Sequence, residues 1–132
     1  MILAPATDKP LILRVQDRAG RGPFKPGLSE QWTDPERDWR PPTWMEEFGW
    51  DARDRAPRGW HLGSAVRTFQ QLGYWFSPSE LGRLSAMGYR VVRIRADRVI
   101  GESEYQLFVA RANPFRWDAA EVDLLEAVEG MS

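Results

Sequence analysis

The sequence contains no cysteine and only one histidine, His61. The absence of cysteine excludes a disulfide framework, zinc knuckles, iron–sulfur ligation and thiol catalysis. A single histidine forms neither an HExxH motif nor a histidine cluster, and no GxSxG elbow is present to hold a serine nucleophile. No GxGxxG or Walker A loop occurs either. We therefore predict no metal site, and any chemistry must come from carboxylates, arginines, hydroxyls and the lone imidazole.

Long hydrophobic runs are also absent. No apolar stretch approaches the roughly 18 residues that a transmembrane helix needs, and no basic-then-apolar leader opens the chain. We therefore expect a cytoplasmic protein without a membrane partner. The length of 132 residues suits a single domain over residues 1–132. Nothing in the composition indicates an oligomeric state.

Lysine is scarce, with two residues against sixteen arginines, and the net charge is −1. The chain therefore has no overall basic field that would attract nucleic acid. Five acids and no bases follow from Asp118 onward, so that the first 117 residues hold 18 bases and 14 acids. The preference for arginine has two interpretations. It reflects either a GC-rich genome or the recognition of phosphate groups by guanidinium forks.

Tryptophan is abundant, and five of the seven tryptophans lie between positions 32 and 60. Residues 28–59 show no clean hydrophobic period, and their prolines interrupt any long helix. Long irregular segments in compact domains are usually functional or disordered, and a segment rich in aromatic residues is unlike a disordered chain. We interpret residues 28–59 as an irregular insertion or lid that its tryptophans anchor to the core.

The clearest local signal is a helix that starts at Ser77. Ser77 and Glu80 have the spacing of a capping box, Pro78 occupies the first helical position, and Gly88 provides a stop. Ser64 is a second predicted helix cap, because Val66, Phe69, Leu72 and Phe76 recur downstream at near-helical spacing. The remaining predicted elements are a loose lead-in over 1–10, strands over 11–16, 89–94 and 105–110, a turn over 96–101, and an acidic amphipathic helix over 118–130 capped by Asp118. This order predicts an α+β fold with a small, mostly antiparallel sheet and flanking helices.

Four pieces of sequence carry residues suited to chemistry. They are Arg14 in the first strand, WHLGS at 60–64, GYWFSPSE at 73–80 and GESEYQLF at 101–108. In the last piece Glu102 and Glu104 lie two positions apart at the predicted start of a strand. Because alternate residues of an extended chain point to the same side, both carboxylates are expected on one face.

These pieces resemble the ADP-ribosyltransferase family. SEYQLFVA after the strand YRVVRIRADRVI is similar to the family's last catalytic strand, which often carries Glu-x-Glu. WHLGS is similar to its His-Gly-Ser signature with Leu62 inserted, and GYWFSPSEL is similar to its Gly-x-Tyr-Phe strand leading into a helix. Arg14 stands where one branch has a first-strand arginine. Small phage proteins directed at host defences are similar to this branch in length and layout.

The resemblance implies an ADP-ribosyltransferase-like fold and a mono-ADP-ribosyltransferase that uses NAD and modifies a host protein or nucleic acid. Glu104 would stabilise the ribosyl cation and Glu102 would orient the acceptor. Arg14 or His61 would hold the pyrophosphate or the adenosine ribose, and Ser64 would brace the site. The nicotinamide ring would stack on Tyr74 or Trp75.

Two other functions remain open. The chain could be a non-catalytic protein that inhibits a host complex, such as an antiviral defence complex, through a surface rich in tryptophan and arginine. That interpretation predicts exposed tryptophans gathered in one patch. Nucleic-acid binding through the arginines of the predicted strand at 89–94 is less favoured, because the net charge is close to zero.

Overall fold

The computed structural model describes residues 9–132, so the predicted lead-in falls almost entirely outside the described residues. The strands are β1 (Leu11–Gln16), β2 (His61–Ala65), β3 (Arg90–Arg95), β4 (Arg98–Glu102), β5 (Leu107–Arg111) and β6 (Ala120–Glu121). The α-helices are α1 (Ser29–Trp32), α2 (Trp44–Phe48), α3 (Phe69–Trp75), α4 (Pro78–Ala86) and α5 (Leu124–Gly130), and a 3-10 helix covers Trp50–Arg55. The predicted α+β class is confirmed, and every strand pairing described is antiparallel.

The strands form two small sheets, with the orders β1-β3-β6 and β2-β5-β4. Within residues 9–132 a single bridge joins them: the backbone N–H of Leu13 donates to the Val66 carbonyl at 2.7 Å, and the N–H of Val66 donates to the Leu13 carbonyl at 2.9 Å. Beyond this bridge, toward the end of β1 and the start of β2, the two strands separate. The gap between them is the most important feature of the fold for the site.

The two faces of β1 belong to two different hydrophobic clusters. Leu13 and Val15 pack with the helices in one cluster that also contains Trp32 and Trp75. Ile12, on the opposite face, packs with Ala65 and Phe115 in the second cluster. This follows from the period of two in a strand, and it places Arg14 on the Ile12 face.

The capping-box prediction for α4 is confirmed. The Ser77 hydroxyl accepts a hydrogen bond from the Glu80 N–H at 3.1 Å, and the Glu80 carboxylate accepts one from the Ser77 N–H at 2.9 Å. Leu81 and Leu84 are buried on the inner face of the helix. Gly88, just after the helix, has a φ of 96°, which a residue without a side chain adopts readily.

Two predicted helix starts are wrong. Ser64 lies inside β2, where it pairs in register with Phe108, and α3 begins at Phe69 under a cap from Thr68. Asp118 instead binds Arg111 through two hydrogen bonds, of 2.6 and 2.9 Å, and α5 begins only after Asp123. In the first case pairing with a strand more than 40 positions away overrides the capping signal, and in the second an ion pair with a residue seven positions earlier does so.

The predicted turn at 96–101 is also wrong over most of its length, because residues 98–102 form β4. A register shift between Val99 and Gly101 disturbs the pairing of β4 with β5. This irregularity breaks the simple alternation that would have indicated a strand.

The tryptophan-rich segment 28–59 is fixed to the rest of the chain at several points. The Trp32 indole is fully buried, and its Nε1 donates to the Pro23 carbonyl at 3.1 Å. Trp44 stacks on Phe108 of β5 at 4.3 Å with nearly parallel rings. None of the helices within residues 9–132 has both the length and the apolar character required to cross a bilayer.

Candidate functional site: a cationic cleft between the sheets

A cleft of about 810 Å³ opens where β1 and β2 separate. Its walls come from these two strands, the loop 19–25, residues between 40 and 45, the C-terminal part of α3, Gln106 and the residues 114–116. Among the described residues that line it there is no aspartate or glutamate, whereas five side chains are basic: Arg14, Arg21, Lys25, Arg40 and Arg116. A cleft of this size with this charge is suited to an anionic small molecule.

Arg14 lies at the base of the gap and is only 9% exposed. Its Nη1 donates to the Ser64 carbonyl at 2.7 Å, its Nη2 to the Gly20 carbonyl at 3.1 Å and its Nε to Gln16 Oε1 at 3.0 Å. None of these acceptors is a carboxylate. Burial lowers the pKa of Arg14 to about 10, although the charge of Asp17 partly opposes this shift. A buried cation without a carboxylate partner is costly, and an anion in the cleft would compensate it.

Gly63 makes room for this guanidinium. A Cβ atom at position 63 would lie 2.8 Å from Arg14 Cζ and closer still to Nη1. His61 is two positions from Gly63 on the same strand, so the two residues face the same side of β2. The exposed His61 therefore lies on the Arg14 side of the strand and lines the cleft.

The structure brings together four of the predicted site residues in this cleft: Arg14, His61, Ser64 and Trp75. Ser64 contacts Arg14 through its backbone carbonyl. The Trp75 indole is buried in the wall, and its Nε1 donates to the Tyr105 carbonyl at 2.9 Å.

The other three predicted site residues do not line the cleft. Glu102 forms a bidentate ion pair with Arg67, at 2.8 and 3.0 Å. The hydrogen bond from Arg67 lowers the pKa of Glu102 below its ordinary value. Glu104 is exposed, and its backbone carbonyl accepts a hydrogen bond from Gln71 at 3.0 Å. The Tyr74 ring packs edge-to-face on Tyr105 at 5.6 Å.

The placement of the two carboxylates has a simple cause. Glu102 is the last residue of β4, and β5 starts only at Leu107. Between them the chain turns, with the Ser103 N–H donating to the Gln106 carbonyl at 2.9 Å. Glu102 and Glu104 therefore do not precede a single strand, and the expected common strand face does not exist.

Gln106 is a cleft residue that sequence reasoning missed. Its Nε2 donates to the Pro42 carbonyl at 2.7 Å and to Glu47 Oε1 at 2.8 Å. The same Glu47 oxygen accepts the Ser103 hydroxyl at 2.7 Å. This network ties α2 to the start of β5, so that the tryptophan-rich segment contributes to the wall of the cleft.

The loop after β1 and the segment around Phe115 were missed as well. Gly20 and Gly22 follow the first strand in a glycine-rich stretch, a signal that the backbone approaches another group closely. The arginine side chain is the group that they approach. No local signal marks Phe115, whose ring lies 4.6 Å from Arg14 Cζ, because the contact joins positions about one hundred residues apart.

The arginines of β3 and its neighbours do not form a common stripe, because each has a separate partner. Arg90 pairs with Glu121, and the Arg93 guanidinium lies over the Phe69 ring. Arg95 donates to the Lys9 carbonyl, and Arg98 donates to the Arg55 carbonyl.

Three tryptophans are more than half exposed: Trp39 at 55%, Trp50 at 64% and Trp117 at 66%. They contact different neighbours. Trp39 lies against Tyr105, Trp50 against Trp44, and the Trp117 ring lies under the guanidinium of Arg116.

Comparison of the chain with family models, with curated proteins and with solved structures gives no match.

Proposed function

We propose that the protein binds NAD in the cleft and transfers ADP-ribose to a protein or nucleic acid, as its resemblance to ADP-ribosyltransferases implies. The observation that carries the proposal is the buried guanidinium of Arg14, which has no carboxylate partner among the described residues and lines a cleft without acids. A pyrophosphate is the kind of anion that such a group binds well.

The cleft also suits the rest of a dinucleotide. Its volume falls in the range of about 300–1,000 Å³ that is common for small-molecule sites. Trp75, Phe24 and Phe115 supply apolar surface for a ring. His61 lines the same cleft as Arg14 and can donate a hydrogen bond to a phosphate or a ribose hydroxyl.

The transfer step needs more than binding. The bond between ribose C1′ and the nicotinamide nitrogen breaks, the electron pair leaves with nicotinamide, and positive charge develops on the ribose. A carboxylate close to that carbon would stabilise the charge. Glu104 and Glu102 lie outside the cleft, so the transfer half of the proposal is supported by the resemblance, whereas the binding half is supported by the charge and shape of the cleft.

A second candidate function follows from the position of Glu104 and Glu102 outside the cleft. If no carboxylate reaches the ribose, the protein acts without catalysis, as an inhibitor that covers a host complex. Three exposed tryptophans are available for such contacts, because tryptophan and arginine dominate the energetics of many interfaces. Each of them lies against a different neighbour, however, whereas this candidate predicts one common patch.

The two candidates differ in a direct measurement with NAD. We expect NAD to raise the melting temperature of the protein, and Arg14→Lys to abolish the increase because lysine cannot reproduce the three fixed donor contacts. We expect nicotinamide release from labelled NAD to fall by at least about a hundredfold in Glu104→Gln, with Glu126→Gln as an exposed control on α5. Binding of NAD without release of nicotinamide would support the non-catalytic candidate. The absence of both binding and release would contradict the NAD proposal.

A further inference from the structure

The cleft carries more positive charge than NAD can neutralise. Of the five basic side chains that line it, Arg21 pairs with Asp17 and Arg40 pairs with Glu80. Arg14, Lys25 and Arg116 have no carboxylate partner within residues 9–132. In NAD the positive nicotinamide ring offsets one of the two phosphate charges. A second anionic group therefore fits the cleft electrostatically.

The uncompensated cations come from distant parts of the sequence and line the same cleft. A Cβ atom on Gly20 would lie 3.4 Å from both Phe115 Cβ and the Arg116 backbone nitrogen, so the start of the loop 19–25 lies against the segment carrying Arg116. Arg14 bridges the same two segments, donating to the Gly20 carbonyl while its guanidinium covers the Phe115 ring. The wall segments that carry Lys25 and Arg116 form the cationic edge of this cleft, and the buried Arg14 lies at its base.

Trp117 adds an aromatic surface to this edge. It follows Arg116, whose Cζ lies 4.8 Å from the centre of the indole ring, and two thirds of its surface is exposed. Aromatic rings beside cations are the pattern that binds single-stranded nucleic acids, because bases stack on the ring while the cations hold the phosphates. A paired base in a duplex is already stacked and does not offer its face in this way.

We infer that the rim formed by Lys25, Arg116 and Trp117 binds single-stranded nucleic acid. The binding itself is independent of NAD. That the bound nucleic acid is also the acceptor of ADP-ribose rests on the proposed function. The net charge of −1 does not prevent such binding, since phosphate recognition depends on the field at the rim and not on the total charge.

The test is the affinity of a labelled single-stranded oligonucleotide of about 12 nucleotides, a length within the usual site size, measured by fluorescence anisotropy at several salt concentrations. We expect Lys25→Ala and Arg116→Ala each to weaken binding and to reduce the slope of log affinity against log salt by about one. We expect Trp117→Ala to lower affinity about tenfold without changing that slope. Unchanged affinity in all three variants would overturn the inference, as would equal affinity for a duplex of the same sequence.

A matched pair of control variants is present in the chain. The Arg53 guanidinium lies 5.5 Å from the centre of the Trp50 ring, and Trp50 is 64% exposed, but neither residue lines the cleft. Trp50→Ala and Arg53→Ala should leave oligonucleotide binding unchanged. Nicotinamide release, measured on the same samples, separates the two proposals. Nicotinamide release without oligonucleotide binding would contradict only the proposed nucleic-acid binding. Oligonucleotide binding without nicotinamide release would contradict only the proposed transferase activity.

Discussion

Arg14 occupies the place where the backbones of two strands would otherwise pair. After the Leu13–Val66 bridge, the next residues of an antiparallel pair would continue the ladder, but here the Ser64 carbonyl accepts its hydrogen bond from the Arg14 guanidinium. The side chain thereby keeps β1 and β2 apart and satisfies a carbonyl at the cleft wall. One residue thus shapes the cleft and supplies its buried charge.

We expect Gly63→Ala to reduce the free energy of unfolding by about 1–3 kcal/mol, the usual cost of an overpacked site. The new methyl group would displace a guanidinium that three hydrogen bonds hold in place. Gly82→Ala is the control, because nothing lies within 4 Å of a Cβ at that position of α4, and alanine should stabilise the helix by up to about 1 kcal/mol. Urea denaturation of both variants measures the difference, and equal stability of the two would show that Arg14 does not fill the space beside Gly63.

Residues differ in how far the sequence reveals them. Arg14 and His61 were predicted as site residues from the resemblance, which rests on the first strand and on WHLGS, and both line the cleft. Arg116 was not, since the place of its backbone beside Gly20 depends on a contact across most of the chain. Glu104 was assigned on the assumption of a continuous strand, and the turn at Ser103–Gln106 removes that assumption.

At the scale of elements, the capping residue Glu80 of α4 also binds the segment 28–59. The carboxylate of Glu80 is fully buried, and besides the Ser77 N–H it accepts hydrogen bonds from the Asp34 N–H at 2.7 Å and from Arg37 and Arg40 at 3.2 and 2.9 Å. The cap of one helix is therefore also the anchor of the segment 28–59. The sequence indicated the cap because its signal is local, but it did not indicate the anchor, because the arginines come from 40 or more positions away.

We expect Glu80→Gln to destabilise the protein by about 3 kcal/mol at pH 7, since it leaves two partly buried arginines without their counterion. Burial would raise the pKa of Glu80, but hydrogen bonds from Asp34, Arg40 and Ser77 lower it below its ordinary value of 4.5. A lowered pKa in the folded state means that the ionised carboxylate contributes its stability above pH 4.5, and that this contribution disappears as the pH falls through the folded pKa.

The difference between wild type and Glu80→Gln should therefore shrink as the pH falls from 7 to 3, because protonated glutamate and glutamine are similar in shape and charge. Denaturant unfolding at several pH values measures this trend. Glu126→Gln, on the exposed side of α5, should show little difference at any pH. A constant difference between wild type and Glu80→Gln across the range would show that packing, and not the ionised carboxylate, is responsible.

The predicted elements and the observed ones agree where signals are local. The strand at 11–16 and the helix after Ser77 are examples. They disagree at Ser64, which pairs with Phe108 of a later strand. They also disagree at Asp118, whose carboxylate binds Arg111, and over 98–102, which pairs irregularly with the next strand, β5. Propensity and capping rules describe one element at a time, and they contain no term for a partner strand that arrives later in the sequence.

At the scale of the whole molecule, the cleft exists because the chain builds two sheets and joins them at one bridge. The α+β class followed from the order of elements. The division into two sheets did not, because it depends on β3 and β4, adjacent in sequence, pairing with different partners. A ligand in the cleft would contact β1 of one sheet and β2 of the other. Ligand binding should therefore stabilise both sheets against local opening at the cleft.

We expect pyrophosphate to slow amide hydrogen exchange in peptides from both sides of the cleft, those covering 11–25 and those covering 61–66. Ligand binding to the native state raises the free energy of the openings that disrupt the site, and with a single bridge between the sheets an opening on either side disrupts it. Peptides covering 98–102 do not line the cleft and serve as the internal control. Protection confined to the 61–66 peptides would place the anion away from Arg14. The buried guanidinium would then serve only to keep β1 and β2 apart.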